Sequence, residues 1–340
     1  MRVEKAYSFD DLLLVPKYSE ITSRSLVSTK VDLGKGFVFD IPIISSNMTN
    51  VTEVAMALAL ARVKGMAILH RFCTVQQQVD MFKECLFYNQ NAAQYVGASI
   101  GVKEEDKSRL DALILNGCKI ICIDVAHGYS KVALDMTNYI ADKYPEVLLI
   151  SGNAAEGQGA LAIACAGADV VKVGVGSGSI CTTRIQTGNG IPMLTALQST
   201  HLLREEEGLS FKIISDGGCK NSGDMVKALA IGADMIMAGS LLAGTPEAPG
   251  AIYEIDGIKY KEYSGSSTHK GNHIEGVKAL VPLKSSVTDV IQSLVEGIKS
   301  GCSYQGVDNL EDLKVNPEFM EVSYSGFHNE SKSHSVKIRE

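Results

Sequence analysis

Several things are missing from this sequence, and each absence narrows what the chain can be. Its first residues, MRVEKAYSFDDLLLVPKY, carry charge throughout and hold no apolar core of the kind that directs secretion. The most apolar stretch, VAMALALARVKGMAILH, is broken by Arg62 and Lys64, so no membrane span is expected. No CxxC pair occurs among the cysteines at 73, 85, 118, 122, 165, 181, 219 and 302. That argues against a zinc site and for reduced thiols in a cytoplasmic protein. Proline and glycine form no linker and nothing is low-complexity, so residues 1–340 are expected to make one domain. Positive charge is not in excess either. A formal net charge of -7 argues against a nucleic-acid groove and leaves room only for a local pocket around a nucleotide. Finally, no G-x-G-x-x-G follows an early strand, which removes the main sign of a doubly wound dinucleotide fold.

What is present is a rhythm. Short β-branched apolar runs recur at 41–48, 65–70, 95–102, 119–128, 147–154, 169–176, 211–218 and 234–240. Most are separated by segments with helical apolar spacing, such as TEVAMALALARVKG and SGDMVKALAIGA. Unbroken apolar strands alternating with helices predict a parallel sheet covered on both faces, and eight such units predict a closed (β/α)8 TIM barrel. Several runs finish in small or polar residues: Asn47, His70, Asp124, Asn153, Gly176, Asp216 and Ser240. In such a barrel these ends share one mouth, where sites are built. Three segments fall outside the count. Residues 1–40 form an N-terminal extension. Residues 250–285, polar and rich in Gly and Ser, read as a mobile flap over the mouth, and 304–340 as a polar tail, partly disordered or docked on a neighbour.

The candidate chemistry follows from that mouth. SDGG (Asp216, Gly217, Gly218) after strand seven and AGS (Gly239, Ser240) after strand eight suit a phosphate held by backbone N–H groups; either alone reads first as a tight turn, and the two together favour the phosphate. Ser179 adds a hydroxyl from the strand-six loop. That loop, GVGSGSICTTRIQTGNG, carries Cys181, a candidate nucleophile if its surroundings favour the thiolate and otherwise an incidental thiol. Thr183 stands two residues on as a proton relay, and Glu275 on the flap is either its acid/base partner or a solvated carboxylate. Asp124 accepts hydrogen bonds from a ligand or caps the next helix. His127 is open in the same way, and His70 and Arg71 are either rim positions or contacts to a second ligand's phosphates.

The stretches FDDLLLVPKYS, IPIISSNM, GNAAE, KVGVGSGSICTTR, ISDGG, AGSLLAGTPEAPG and YSGSS resemble the inosine monophosphate dehydrogenase and GMP reductase family, over nearly the whole chain. The glycine-loop cysteine followed by TTR is the most specific of them. The resemblance implies a barrel binding a purine nucleotide monophosphate, GMP or IMP, with the loop cysteine attacking purine C2 and a nicotinamide cofactor exchanging hydride there. It makes Cys181 the nucleophile and Thr183 and Glu275 the proton-transfer pair. Ser179, Asp216, Gly217, Gly218, Gly239, Ser240 and Tyr263 then hold phosphate and ribose, with Ser264, Gly265 and Ser266 near the base. Asp124, Val125, Ala126, Val175 and Gly176 face the cofactor. The carbonyls of Gly176, Gly178 and Cys181 cradle a monovalent cation such as potassium. A homotetramer is implied as well.

Two branches of the family differ in ways the sequence shows. Dehydrogenases usually insert a pair of CBS modules between strands two and three, where this chain has only RFCTVQQQVDMFKECLFYNQNAAQ. They also carry an Arg-Tyr pair on the flap that activates water; between GSS and EGVKALVP this chain offers only THKGNHI. TTRIQTGNG and IDVAHGYS are similar to reductases, FDDLLLVP and LLAGTPEAPG closer to dehydrogenases. The expected activity is NADPH-dependent reductive deamination of GMP to IMP and ammonia. The alternative is a dehydrogenase without CBS modules, taking IMP, NAD and water to XMP and NADH.

Overall fold

The eight apolar runs become eight parallel strands in the computed structural model, which describes residues 3–265, 277–323 and 325–326. They are β1 (Ile43–Ser45), β2 (Met66–Leu69), β3 (Val96–Ile100), β4 (Ile120–Ile123), β5 (Leu148–Ala154), β6 (Val170–Val173), β7 (Lys212–Asp216) and β8 (Met235–Ala238). The sheet closes on itself where β8 pairs with β1 through Ile236↔Ile43 and Met237↔Ile44. Every residue of β2, β4 and β6 is buried, because helices cover the outer face and the barrel's own side chains fill the inner one.

The helices start where the chain supplies caps. Val75–Tyr88 opens on a capping box: the Thr74 hydroxyl accepts the Gln77 N–H at 3.2 Å, and the Gln77 amide accepts the Thr74 N–H at 2.9 Å. Its apolar stripe buries Val79, Phe82 and Cys85 against the barrel. Burying the Phe82 ring alone contributes ~2–3 kcal/mol. Among the described residues no helix is long and apolar enough to cross a membrane.

The segments outside the barrel differ from expectation in two respects. The described part of the tail docks on its own chain: Phe319–Glu321 pairs antiparallel with Leu12–Leu14 of the N-terminal extension, and the turn Leu310–Leu313 buries both leucines. Two short strands, each with one open edge, satisfy each other's backbone groups in this way. The flap segment, in turn, is a three-stranded antiparallel sheet of β9 (Ile252–Ile255), β10 (Ile258–Ser264) and β11 (Lys278–Pro282). Asp256 and Gly257 join the first two with φ of 52° and 77°, the left-handed pair of a two-residue hairpin turn. Lys261, fully buried on β10, donates to the carbonyls of Thr245 and Pro246, each at 3.2 Å, and of Ala248. The sheet is thereby tied to the loop that follows β8.

At the opposite, N-terminal end of the barrel lies a buried charge cluster. Asp234, just before β8, meets Lys314 at 2.6 Å, Arg204 at 3.2 Å and Lys212 at 3.7 Å, and accepts the Ile213 N–H at 2.7 Å. Burial alone would raise this carboxyl above its ordinary 3.8, but the charges of Lys314, Lys212 and Arg204 outweigh that and hold it below. A depressed carboxyl contributes stability above its unfolded pKa and loses it as pH falls through the folded one. Asp234→Asn removes the buried anion these three cations share, leaving Arg204, among the described residues, only the exposed Glu205 and the two lysines only the exposed Glu311, and is expected to cost ~3–5 kcal/mol at neutral pH. Denaturant melts should show the gap to wild type narrowing as pH falls below about 4.

Candidate functional site

A cavity of about 640 Å³ opens at the C-terminal ends of the strands. Its walls come from residues as far apart in sequence as Ser8 and Gly265. The loop after β6 forms one wall. Gly174 and Gly176 take φ of 144° and 74°, which a side chain would resist, and a Cβ on Gly176 would meet the Arg184 side chain at 2.7 Å. The Cys181 N–H closes a turn onto the Gly178 carbonyl at 3.1 Å, and a short helix, Thr183–Thr187, follows. This sets the Cys181 sulfur 3.1 Å from the Thr183 hydroxyl, at the cavity wall and partly exposed. Arg184 turns back on its own loop and donates to the Ile191 carbonyl at 2.8 Å. Val277, where the described chain resumes before β11, donates to the Ile180 carbonyl at 3.2 Å, one residue from the thiol.

The loops after β7 and β8 form the opposite wall. Gly217 and Gly218 have φ of 90° and 83°, exposing backbone to the cavity, and the Phe9 ring lies 3.2 Å from where a Cβ on Gly218 would sit. Gly239 is required by space: its Cβ would stand 2.6 Å from the Tyr263 hydroxyl. Burial pushes the Tyr263 phenol up to about 12, with the Ser179 hydroxyl acting against the shift, so at neutral pH it is a protonated donor beside Gly239. The buried Ser46 hydroxyl, on the same wall, has no hydrogen-bond partner among the described residues.

Charged groups line the floor between these walls. Lys172, on β6 and buried, reaches Asp216 at 3.1 Å and Asp124 at 3.9 Å. Asn153 donates to the same Asp216 oxygen at 2.8 Å and to the Gly174 carbonyl at 2.7 Å. Arg71 holds Asp124 from the far side, through the carboxylate at 3.4 Å and the backbone carbonyl at 3.1 Å. Burial would lower the Lys172 ammonium; Asp216, Cys122 and Asp124 reverse this and keep it charged.

The structure thus brings Cys181, Thr183, Ser179, Asp216, Gly217, Gly218, Gly239, Ser240, Tyr263, Gly265, Asp124, Val125, Ala126, Val175, Gly176 and Gly178 around one cavity. It places Ser264 behind that wall, 1% exposed and bonded to Asn50 at 2.6 Å, because alternate residues of β10 face opposite ways and Tyr263 takes the cavity side. His70 is buried against Glu53 at 3.2 Å, and His127 pairs edge-on with Tyr129; neither lines the cavity. Ser266 and Glu275 lie outside the described residues. Sequence reasoning did not single out Lys172, Ser46 or the Ser8–Asp10 turn. Lys172 had a readable signal, a lone charge inside the apolar strand DVVKVGVG.

Comparison with known proteins agrees with this geometry. The family model described as IMP dehydrogenase / GMP reductase domain matches residues 6–334. The chain is 35% identical to the GMP reductase of Onchocerca volvulus, over 94% of this chain and 92% of that one, in an alignment of 341 positions. It is 31% identical to the inosine-5′-monophosphate dehydrogenase of Nitrosopumilus maritimus, over 99% of this chain and all of that one. That alignment runs to 478 positions, so well over a hundred face gaps. Among solved structures, a cysteine-to-alanine variant of GMP reductase from Trypanosoma brucei, in complex with guanosine 5′-monophosphate, superposes with a TM-score of 0.91 at 26% identity, covering 98% of this chain and 99% of that one.

The thiols provide a test of this arrangement. Cys165 is exposed, and Cys73 and Cys181 are partly so. The rest are buried, and burial pushes Cys85, Cys118 and Cys122 up to about 12 and Cys302 up to about 11. Iodoacetamide at mildly alkaline pH, read by peptide mapping, is expected to label Cys73, Cys165 and Cys181 and to spare the others. A nucleoside 5′-monophosphate should slow labelling at Cys181 alone.

Proposed function

Because the chain belongs to the IMP dehydrogenase / GMP reductase family, an oxidoreductase family that works with a nicotinamide cofactor, we propose that it is a GMP reductase converting GMP to IMP and ammonia with NADPH. The observation that carries this reading is the Cys181–Thr183 pair, 3.1 Å apart, facing two glycine loops across one cavity. Backbone N–H groups of Gly217, Gly218 and Gly239, with the hydroxyls of Ser179, Ser240 and Tyr263, bind the 5′-phosphate, and Asp216 accepts the ribose hydroxyls. The purine is then directed at the sulfur, with Gly265, and Ser266 next in sequence, on the base side, while Ser264 braces that wall from behind.

Cys181, as thiolate, attacks C2 of GMP. The 2-amino group takes a proton and departs as ammonia, leaving sulfur bonded to C2. Thr183, within reach of the sulfur, relays that proton with Glu275, two residues before the Val277 that donates to the Ile180 carbonyl. Asp124, Val125, Ala126, Val175 and Gly176 would hold the cofactor, which would supply the hydride that C2 accepts. The carbon–sulfur bond then breaks, and IMP leaves with the thiolate restored. The Asp124 carboxylate suits a carboxamide N–H, which is the fit this cofactor requires. No group of three His, Cys, Asp or Glu side chains among the described residues can hold a metal, so the cation proposed here rests on the carbonyls of Gly176, Gly178 and Cys181. The Gly178 carbonyl keeps one lone pair beyond its turn.

The flap sequence THKGNHI favours the reductase over the dehydrogenase, because it supplies neither Arg nor Tyr to activate water against the adduct. The alignment with the reductase relative, with about twenty positions gapped in this chain against well over a hundred for the dehydrogenase relative, points the same way. We propose further that the enzyme is a cytoplasmic homotetramer. Eight free cysteines suit a reducing compartment, and Ile252, Ile255 and Ile258, exposed on the hairpin, are surface that a neighbour would cover.

The deciding experiment is an anaerobic assay of products. GMP with NADPH is expected to yield IMP, ammonia and NADP+. XMP formed from IMP and NAD instead would make the chain a dehydrogenase. Cys181→Ala should lower turnover by ~1000-fold or more while GMP affinity, read by calorimetry, stays within about threefold. Turnover surviving in that variant sinks the nucleophile assignment.

A further inference from the structure

The charged floor of the cavity has an order of its own. Five residues from the C-terminal ends of β2, β4, β5, β6 and β7 form an unbroken polar chain, Arg71–Asp124–Lys172–Asp216–Asn153. Lys172 sits at its centre and beneath it. Its side chain is 2% exposed, against 21% for Asp124 and 22% for Asp216, so although Lys172 borders the cavity floor, the two carboxylates present far more surface to it. On Asp216, Lys172 and Asn153 both bond Oδ2, at 3.1 and 2.8 Å. That fixes the carboxylate's rotamer and leaves the acceptor capacity of Oδ1 for a ligand. On Asp124, Arg71 takes Oδ2 at 3.4 Å, and Lys172 stands 3.9 Å from Oδ1. Gly152 secures the packing around the lysine: a Cβ there would meet the Lys172 carbonyl at 2.6 Å and its Cβ at 2.7 Å.

We infer that Lys172 is a positioning residue shared by both halves of the site, orienting Asp216 toward the nucleotide and Asp124 toward the cofactor from one buried ammonium. It touches neither ligand and acts through the two carboxylates. A half-buried carboxylate that loses its buried cation is free to swing toward water, and that costs it the role of fixed acceptor. One side chain therefore sets the acceptor geometry of both binding steps. This deepens the proposed function and rests on it only for the identity of the ligands.

A double-mutant cycle on binding tests the inference, with affinities for GMP and, separately, for NADP+ read by calorimetry, so that no turnover occurs. Lys172→Met is expected to weaken GMP about tenfold or more, and NADP+ at least about threefold. In an Asp216→Asn background, adding Lys172→Met should change GMP affinity by less than about twofold, because the group it acts through is gone. A purely structural lysine would give additive losses, and a further tenfold fall in the double variant overturns the proposal. Unchanged NADP+ affinity in Lys172→Met overturns it too. Should Lys172→Met alone fail to fold, the double variant, which leaves no unpaired buried charge between these two positions, is compared directly with Asp216→Asn, with the same two outcomes. If the chain forms XMP from IMP, the reductase reading falls, and the cycle is run with IMP and NAD; the two failures are thus told apart.

Discussion

The structure turns on one pairing, that of the last barrel strand with the first. The Ile236 N–H donates to the Pro42 carbonyl at 2.8 Å, and Ser46 reaches back to Ala238 at 3.1 Å. An open sheet would have two unpaired edges, and its strand ends would fan apart with the twist. Closure removes the edges and gathers eight strand ends on one ring. Only then do Ser46 and Ser240, nearly two hundred residues apart, face the same cavity, with the Cys181 loop across from them. The helices and the hairpin sheet brace that ring.

The two ends of the barrel treat charge differently. At the base, Asp234 meets three cations and a backbone N–H, so its acceptor capacity is spent within the protein. At the mouth, Asp216 and Asp124 are held on one side and open on the other. A carboxylate satisfied all round stabilises the fold. One satisfied by half, and fixed in place, keeps acceptor capacity that a substrate can use without reorganisation. The same residue type thus performs both tasks, and the division follows the direction of the strands.

Much of this was legible before any coordinates. The eight strands were readable because parallel strands, buried on both faces, write themselves as continuous Val and Ile runs. The loop of Cys181 was readable because glycine at positive φ leaves a mark in the sequence. Other features depended on where the chain goes afterwards. The hairpin of residues 252–264 was hidden by its polar composition, although its Asp256-Gly257 turn is a known local cue. Lys172 sat within a run that otherwise reads as plain strand, and only barrel closure shows which carboxylates it meets. The placement of Ser264 behind the wall follows from the pleat of β10, and a register shift of one residue would have reversed it. The Ser8–Asp10 turn enters the cavity only because distant strands pair to bring it there.

That last pairing sets a schedule. Leu12–Leu14 precedes every barrel strand in the chain, and its partner, Phe319–Glu321, follows them all. The turn beside that early strand carries Phe9, whose ring packs on the Gly218 loop and whose carbonyl is held by Lys227 at 2.5 Å. The wall that meets the Gly217–Gly218 loop is thus fastened at one edge by chain that is made only after all eight barrel strands. A growing polypeptide carries every strand of the barrel before it can anchor this wall, so the pocket is latched after the barrel itself, and products cut short of Phe319 are barrels with an unlatched pocket.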